Sequence, residues 1–207
     1  MNVAGIAGVE PEDFPDTYQK NVYCQIGPQH YTIHKEGETF DFDEFVHHPE
    51  EFKSAFFQYA SRANVFIACH FWDNRSPIFF TREQMLKPDF NLKLIADISC
   101  DINGPIPSTI RASSISSPFY GYDVFNGKET EPFISDQITV MAVDNLPGEL
   151  PRDSSGNFGE KLAGVVIPEL LSGRKSEIIN NATILKKGKL TDKFSYMNNY
   201  LAGKSDS

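Results

Sequence analysis

Three short runs constrain this chain more than anything else in it: VFIAC at Val65 to Cys69, LKLIADIS at Leu92 to Ser99 and ITVMAVD at Ile138 to Asp144. Each is nearly continuous in apolar residues and rich in β-branched ones, instead of alternating apolar with polar. Strands read this way when both faces of their sheet are covered, as in a parallel sheet. Helical patterns lie beside them. PEEFKSAFFQYASR (Pro49 to Arg62) opens with proline and two acids and repeats Phe52, Ala55, Phe56 and Tyr59 at helical spacing, which predicts a helix with one buried face. TREQML (Thr81 to Leu86) predicts a short second helix with Thr81 as its N-cap. Helices alternating with buried strands predict an open, mostly parallel α/β sheet.

The stretch from Gly104 to Phe133 carries prolines at 105, 107, 118 and 132 and reads as a long excursion. Its SPFYGYDVF predicts an aromatic loop or short hairpin outside the core sheet. Excursions of this length in compact domains are usually functional or lie over a neighbour. Beyond Pro151 the pattern predicts a long helix, capped by Asp153 or Ser154, running through FGEKLAGVVIPELL to Gly173. Pro168 should kink or break it. NATILKKGKLT then reads as a strand with a Lys-Gly turn, and DKFSYMNNYLAG as a closing helix. The change of character puts a domain boundary between residues 1–149 and 150–207.

Composition narrows the partners. The 40% hydrophobic content can fill a core, and the formal charge of −9, from 28 acidic and 19 basic residues, comes with no basic stripe. Nucleic acid and anionic membranes are therefore not expected partners. No apolar run approaches the roughly 20 residues that span a bilayer, and MNVAGIAGVEPEDF has no basic n-region of a signal peptide. Cys24, Cys69 and Cys100 are an odd count without paired spacing, and two of them sit inside apolar strand-like segments, as expected of buried thiols in a reducing cytoplasm.

Ligands of doubly wound sheets lie beyond the carboxyl ends of the strands, and here those ends are polar. The first continues as Cys69-His70-Phe71-Trp72-Asp73-Asn74-Arg75, the second holds Asp97 and continues through Ser99-Cys100-Asp101, and the third ends on Asp144-Asn145. Such groups cost desolvation energy unless something meets them. Asp97, inside an apolar strand, can alternatively cap a neighbouring backbone or pair with a lysine. No metal site is expected: His70 beside Cys69 lacks a second pair at ligand spacing, and His47-His48 diverge. Asp153-Ser154-Ser155 reads as capping, with no G-x-S-x-G nearby. The G-x-G-x-x-G turn of a dinucleotide domain is missing as well, since GIAGVE at Gly5 lacks the third glycine.

AVDNLPGELPRDSS, taken with ADISCDINGPIPST and VFIACHFWDNRSPIFFT, resembles the second half of the lysine-forming saccharopine dehydrogenase and lysine-ketoglutarate reductase family. That family is related to alanine dehydrogenase and the transhydrogenase alpha subunit. The resemblance runs from about residue 20 to the end. It implies a Rossmann-like, mostly parallel α/β sheet lacking its first βα unit, plus a C-terminal helical segment belonging to a second domain. It implies hydride transfer between NAD or NADP and saccharopine, in a cleft between two domains. Asp144 would be the catalytic-site aspartate near nicotinamide and substrate. Val143, Asn145 and Leu146 would line the cofactor, Ile98 would lie beside the nicotinamide half, and Phe71 would pack near the adenosine side. Glu10 falls near the position of an acid that binds the adenosine ribose. The family's catalytic lysine and histidine, and its glycine-rich turn, have no counterpart here. The chain alone is therefore expected to be inactive and to need an amino-acid or oxo-acid substrate together with a partner, either the missing N-terminal half or a second copy. An alanine dehydrogenase-like fragment and a non-catalytic remnant are the alternatives.

Overall fold

The computed structural model describes residues 5–14 and 18–204, so the MNVA that opens the N-terminal segment lies outside the described residues. The first elements are small. Ala7–Val9 (β1) and Val22–Cys24 (β2) pair in parallel, Ala7 opposite Val22. Pro28–Tyr31 (α1) runs straight into Thr32–His34 (β3). Phe42–His47 (α2) is N-capped by Asp41, whose carboxylate accepts from the Glu44 amide at 2.8 Å.

The helix expected over Pro49–Arg62 does not form as one element. A 3-10 turn at Pro49–Glu51 is followed by a strand, Phe52–Ser54 (β4), and only Phe57–Ala60 (α3) is α-helical. β4 pairs antiparallel with β3, His34 opposite Phe52. The cause is Phe52, which is buried edge-on against the rings of His34, Phe40 and Phe45, with centroids 5.2–5.7 Å apart. The aromatic spacing suits a helix, but tertiary burial decides between periods in so short a run.

Five strands build the main sheet: Val65–Ala68 (β5), Leu94–Asp97 (β6), Phe119–Asp123 (β7), Lys128–Thr130 (β8) and Ile138–Met141 (β9), in the order β5-β6-β9-β7-β8. The three runs singled out from the sequence are neighbours and mutually parallel, with Phe66 opposite Ile95 and Ile95 opposite Val140. β7 lies antiparallel on β9, Tyr120 opposite Val140, and turns back as a hairpin into β8. This corrects the reading of SPFYGYDVF. The segment is a hairpin, but it belongs to the core sheet, because Tyr120 and Tyr122 are buried in the same cluster as Ile138 and Val140.

That cluster covers one face of the sheet with Phe56, Phe79, Phe80, Leu92 and Ile106, each of which is buried. Every such side chain contributes roughly 1.5–3 kcal/mol. Expected full burial fails at β5, where Val65 and Ile67 are about half exposed, because this strand is the edge of the sheet. Between β5 and β6, Arg82–Met85 (α4) starts as the sequence predicts. The Thr81 hydroxyl accepts from the Gln84 amide at 3.2 Å, and the Gln84 side chain accepts from the Thr81 amide at 2.8 Å.

The chain divides after Leu146 into two compact units. In the second, Pro151–Lys161 (α5) has its proline in the first turn and Leu150 as N-cap, so Asp153 and Ser154 lie inside the helix instead of capping it. A wide π turn over Leu162–Val166 joins α5 to Ile167–Leu171 (α6). Pro168 falls in the first turn of α6, and the widened turn before it absorbs the missing N–H without a break. Gly173 follows at φ 66°, the left-handed residue that ends a helix. Glu177–Ala182 (α7) is capped by Ser176. Leu185–Lys186 (β10) and Lys189–Leu190 (β11) form a hairpin whose Lys187 and Gly188 both take positive φ, 53° and 78°, as a two-residue hairpin turn requires. A 3-10 turn and Asn198–Leu201 (α8) close the chain. Among the described residues this unit buries no hydrophobic side chain, and Phe158, Leu171, Tyr196 and Tyr200 are each more than two-thirds exposed. No described helix is long and apolar enough to cross a membrane.

Candidate functional site

Because β5, β6 and β9 are parallel neighbours, their carboxyl ends share one edge of the sheet. The end of β6 is organised by Asp97, which is fully buried. Its Oδ1 accepts from the Ser99 amide at 3.1 Å, the Ser99 hydroxyl at 2.6 Å and the Cys100 amide at 3.2 Å, and its Oδ2 accepts from the Thr109 hydroxyl at 2.6 Å. Four donors offset the desolvation of a buried carboxylate. Asp97 therefore caps the neighbouring backbone, one of the two structural alternatives its sequence context left open. Ile98 follows with its amide donating to the Ala68 carbonyl at 2.9 Å and its side chain 36% exposed.

At the end of β9, Val143 is buried and bridges in parallel to Ser113. The Ser113 amide donates to Ala142 O at 2.8 Å, and its hydroxyl accepts from the Ala142 amide at 3.0 Å. Val143 can thus offer a ligand its backbone, not its side chain. Asp144 and Asn145 come next and are both exposed, and Leu146 is half-buried. At the end of β5, Phe71 is 93% exposed, the most exposed of the large hydrophobic side chains described.

The electrostatics tie these ends together. Burial pushes the Cys100 thiol up, helped by the Asp97, Asp144 and Asp101 carboxylates, so Cys100 is no thiolate nucleophile. The same three carboxylates give the ends of β6 and β9 a negative field. Burial holds His70 below the ordinary imidazole value, against the opposing pull of Asp97 and Asp101. Its ring stands edge-on to Phe79 at 4.6 Å, and neither ring nitrogen has a hydrogen-bond partner, nor has the Trp72 indole nitrogen.

The three cysteines are free thiols, but they are not the buried ones expected: Cys69 is exposed and Cys24 and Cys100 are only partly covered, each at or just beyond a strand end. Glu10 is exposed just past the carboxyl end of β1 and lines a depression with Gly8, Tyr23, Gln25 and His30. Sequence reasoning missed Thr109 and Ser113, which pin the loops at two strand ends. Isolated hydroxyls in a proline-rich excursion carry no spacing that could flag them. It missed, too, that His34, Glu38 and Glu44 converge, their possible ligand atoms lying within 4.8 Å of one another.

The residues present fit part of a dinucleotide. Exposed apolar Phe71 and Ile98 at parallel strand ends suit flat rings, and the acidic field suits a cationic one. The pyrophosphate has no glycine-rich turn to meet in this sequence.

Comparison with known proteins agrees in kind. The chain is 30% identical to the alpha-aminoadipic semialdehyde synthase of Arabidopsis thaliana over 91% of its own length and 20% of the relative's. It is 27% identical to the mitochondrial alpha-aminoadipic semialdehyde synthase of Mus musculus over 91% of its length and 24% of the relative's. With the lysine-forming, NAD(+) saccharopine dehydrogenase of Emericella nidulans it shares 30% identity over 60% of this chain and 31% of that protein. It thus spans between a fifth and a third of these relatives. No family model matches it.

Proposed function

Proceeding from a chain homologous to the alpha-aminoadipic semialdehyde synthases and the lysine-forming saccharopine dehydrogenases, we propose that it is the C-terminal part of an NAD(P)-dependent oxidoreductase acting on saccharopine. The observation that carries this reading is the shared edge of β5, β6 and β9. There Phe71, Ile98 and Asp144 are exposed at the ends of parallel strands, where such sheets hold ligands. The dinucleotide, when bound, supplies the hydride acceptor or donor. Phe71 and Ile98 offer its rings apolar contact, and the backbone at Val143, Asn145 and Leu146 lines its edge. Asp144, with Asp97 and Asp101 behind it, favours the cationic partner, whether the oxidised nicotinamide or the substrate's ammonium.

Activity requires more than these 207 residues. The sequence holds no glycine-rich turn and no counterpart of the family's catalytic lysine and histidine. The unit from Pro147 onward carries exposed Phe158, Leu170, Leu171 and Tyr200, and among its described residues no hydrophobic side chain is buried. Exposed apolar side chains of this kind suit a docking face. Its partner in this reading is the catalytic half of the enzyme, supplied by a longer chain or by a second polypeptide. Three free thiols fit a reducing, cytoplasmic setting. A second reading, a non-catalytic subunit of the same family, draws on the missing glycine-rich turn.

Calorimetric titration with NADH and NADPH tests the proposal, with and without a polypeptide supplying the family's N-terminal half. Dinucleotide binding and saccharopine turnover in the mixture are expected, the better-bound cofactor identifying NAD or NADP. A well-folded chain that binds neither cofactor in either condition leaves the non-catalytic reading.

A further inference from the structure

We propose that His34, Glu38 and Glu44 form a binding site for a divalent transition-metal cation, with Zn2+ the best chemical match, independent of the dinucleotide reading. The three donors come from different elements: the last residue of β3, the loop that follows, and the first turn of α2. Their possible ligand atoms lie within 4.8 Å of one another. His34 is 5% exposed, and its Nε2 faces the Glu44 carboxylate at 3.7 Å, beyond hydrogen-bond reach. The ring is held edge-on by Phe52 at 5.2 Å, and its strand is held by β4. The imidazole is thus a fixed ligand, and the two glutamates, half-covered and exposed, are free to close on it.

Zinc accepts one imidazole nitrogen and two carboxylate oxygens at about 2.0–2.2 Å, which sets ligands of a tetrahedral ion about 3.4 Å apart. The His34–Glu44 pair is already near that spacing at 3.7 Å, and the remaining contraction falls to the exposed Glu38. A fourth position remains for water. Two carboxylates converging on one imidazole make an N/O donor set of the kind a divalent cation takes. Metal on Nε2 places the ring proton on Nδ1, which now accepts from the exposed Glu36 amide at 3.3 Å. Loading the metal therefore gives up that long contact. The ion would tie α2 and its loop to β3, on the face where Phe40, Phe45 and Phe52 cluster.

The test uses the full 207-residue chain, stripped with chelator and titrated calorimetrically with Zn2+. Co2+ absorption and the His34 ring resonances are followed in parallel. One ion per chain is expected, with the d–d bands of a four-coordinate N/O site and a shift of the His34 resonances on loading. Altered outer-shell partners already cost about 10–100-fold in metal affinity, so Glu44→Gln, losing a direct ligand, is expected to cost at least about a hundredfold. Glu38→Gln should weaken binding in the same direction. Both variants change partly exposed side chains, so circular dichroism should show an unchanged fold. A His47→Ala/His48→Ala double variant should bind as the wild type does. The proposal is overturned if the wild type binds no Zn2+, if binding survives Glu38→Gln/Glu44→Gln, or if binding is lost with His47 and His48.

Discussion

Thr109 donates its hydroxyl to the Asp97 carboxylate at 2.6 Å, joining a strand end to a loop twelve residues further on, with both side chains fully buried. The bond closes the base of the candidate site, because the other Asp97 oxygen orders Ser99 and Cys100. Thr109→Val keeps the shape and removes one donor to a buried charge, so it should cost about 1.5–3 kcal/mol. Asp97→Ala orphans the Thr109 and Ser99 hydroxyls and two amides together and should cost more. Urea denaturation followed by fluorescence measures both, and a Thr109→Val loss under about 0.5 kcal/mol would show the carboxylate to be satisfied without it.

His70 makes a prediction of opposite sign. Both its ring nitrogens are enclosed without a partner, so an apolar side chain of similar reach removes a desolvation cost. His70→Leu should stabilise the chain by about 1 kcal/mol. The pH dependence follows from the lowered pKa. Above about 6.5, the ordinary imidazole value, the folded and unfolded states are both neutral here and full stability is present. As pH falls through that value the unfolded state takes up the proton first, so stability declines until the lower folded pKa is reached. His70→Leu should lack that part of the decline. Equal acid sensitivity in wild type and variant would refute the assignment.

What could be read from the sequence follows its physics. Val65, Ile95 and Val140 lie in continuous apolar runs, and their strands proved to be parallel neighbours. Thr81 and Gly173 carry local signals, a hydroxyl before a helix and a glycine after one, and both sit where those signals point. Phe52 and Tyr120 misled for one reason. Their elements are decided by distant partners, β3 and β9, which no short window of sequence contains. Phe71, Ile98 and Asp144 lie beyond the ends of parallel strands, where a topological rule looks for ligands, and their proposed roles rest on the motif. Thr109, Ser113 and His34 carry neither, and only the folded chain brings them to their partners.

Gly121 tests the hairpin that the sequence reading left out of the sheet. A methyl group there would meet the Glu131 carbonyl oxygen at 2.2 Å and the Thr130 hydroxyl at 2.5 Å, contacts that backbone cannot relieve without separating β7 from β8. Gly121→Ala should therefore destabilise by about 1–3 kcal/mol or more, against the few tenths expected of alanine in an open strand position. Thermal unfolding with amide exchange across residues 119–130 reads the result. A variant as stable as the wild type would mean that β8 is not held against β7 as described.

Phe71 separates function from stability better than any other residue at the strand ends. It is 93% exposed, so truncation removes almost no folded-state contact, and Phe71→Ala should leave unfolding within about 0.5 kcal/mol of wild type. If the ring packs against the adenosine side of a dinucleotide, its loss removes a stacking surface worth about 1–3 kcal/mol, or roughly 5- to 150-fold in Kd. The change should appear equally with NADH and NADPH, because an aromatic face reads the shared base and not the ribose phosphate. Asp144→Asn should behave differently. It keeps the shape, weakens the negative field at the β9 end, and should lower turnover of the assembled enzyme more than it weakens cofactor binding. Titration calorimetry of Phe71→Ala and Asp144→Asn beside steady-state kinetics checks both. A Phe71→Ala chain that binds either cofactor as tightly as wild type would remove the β5 end from the site, whatever Asp144 does.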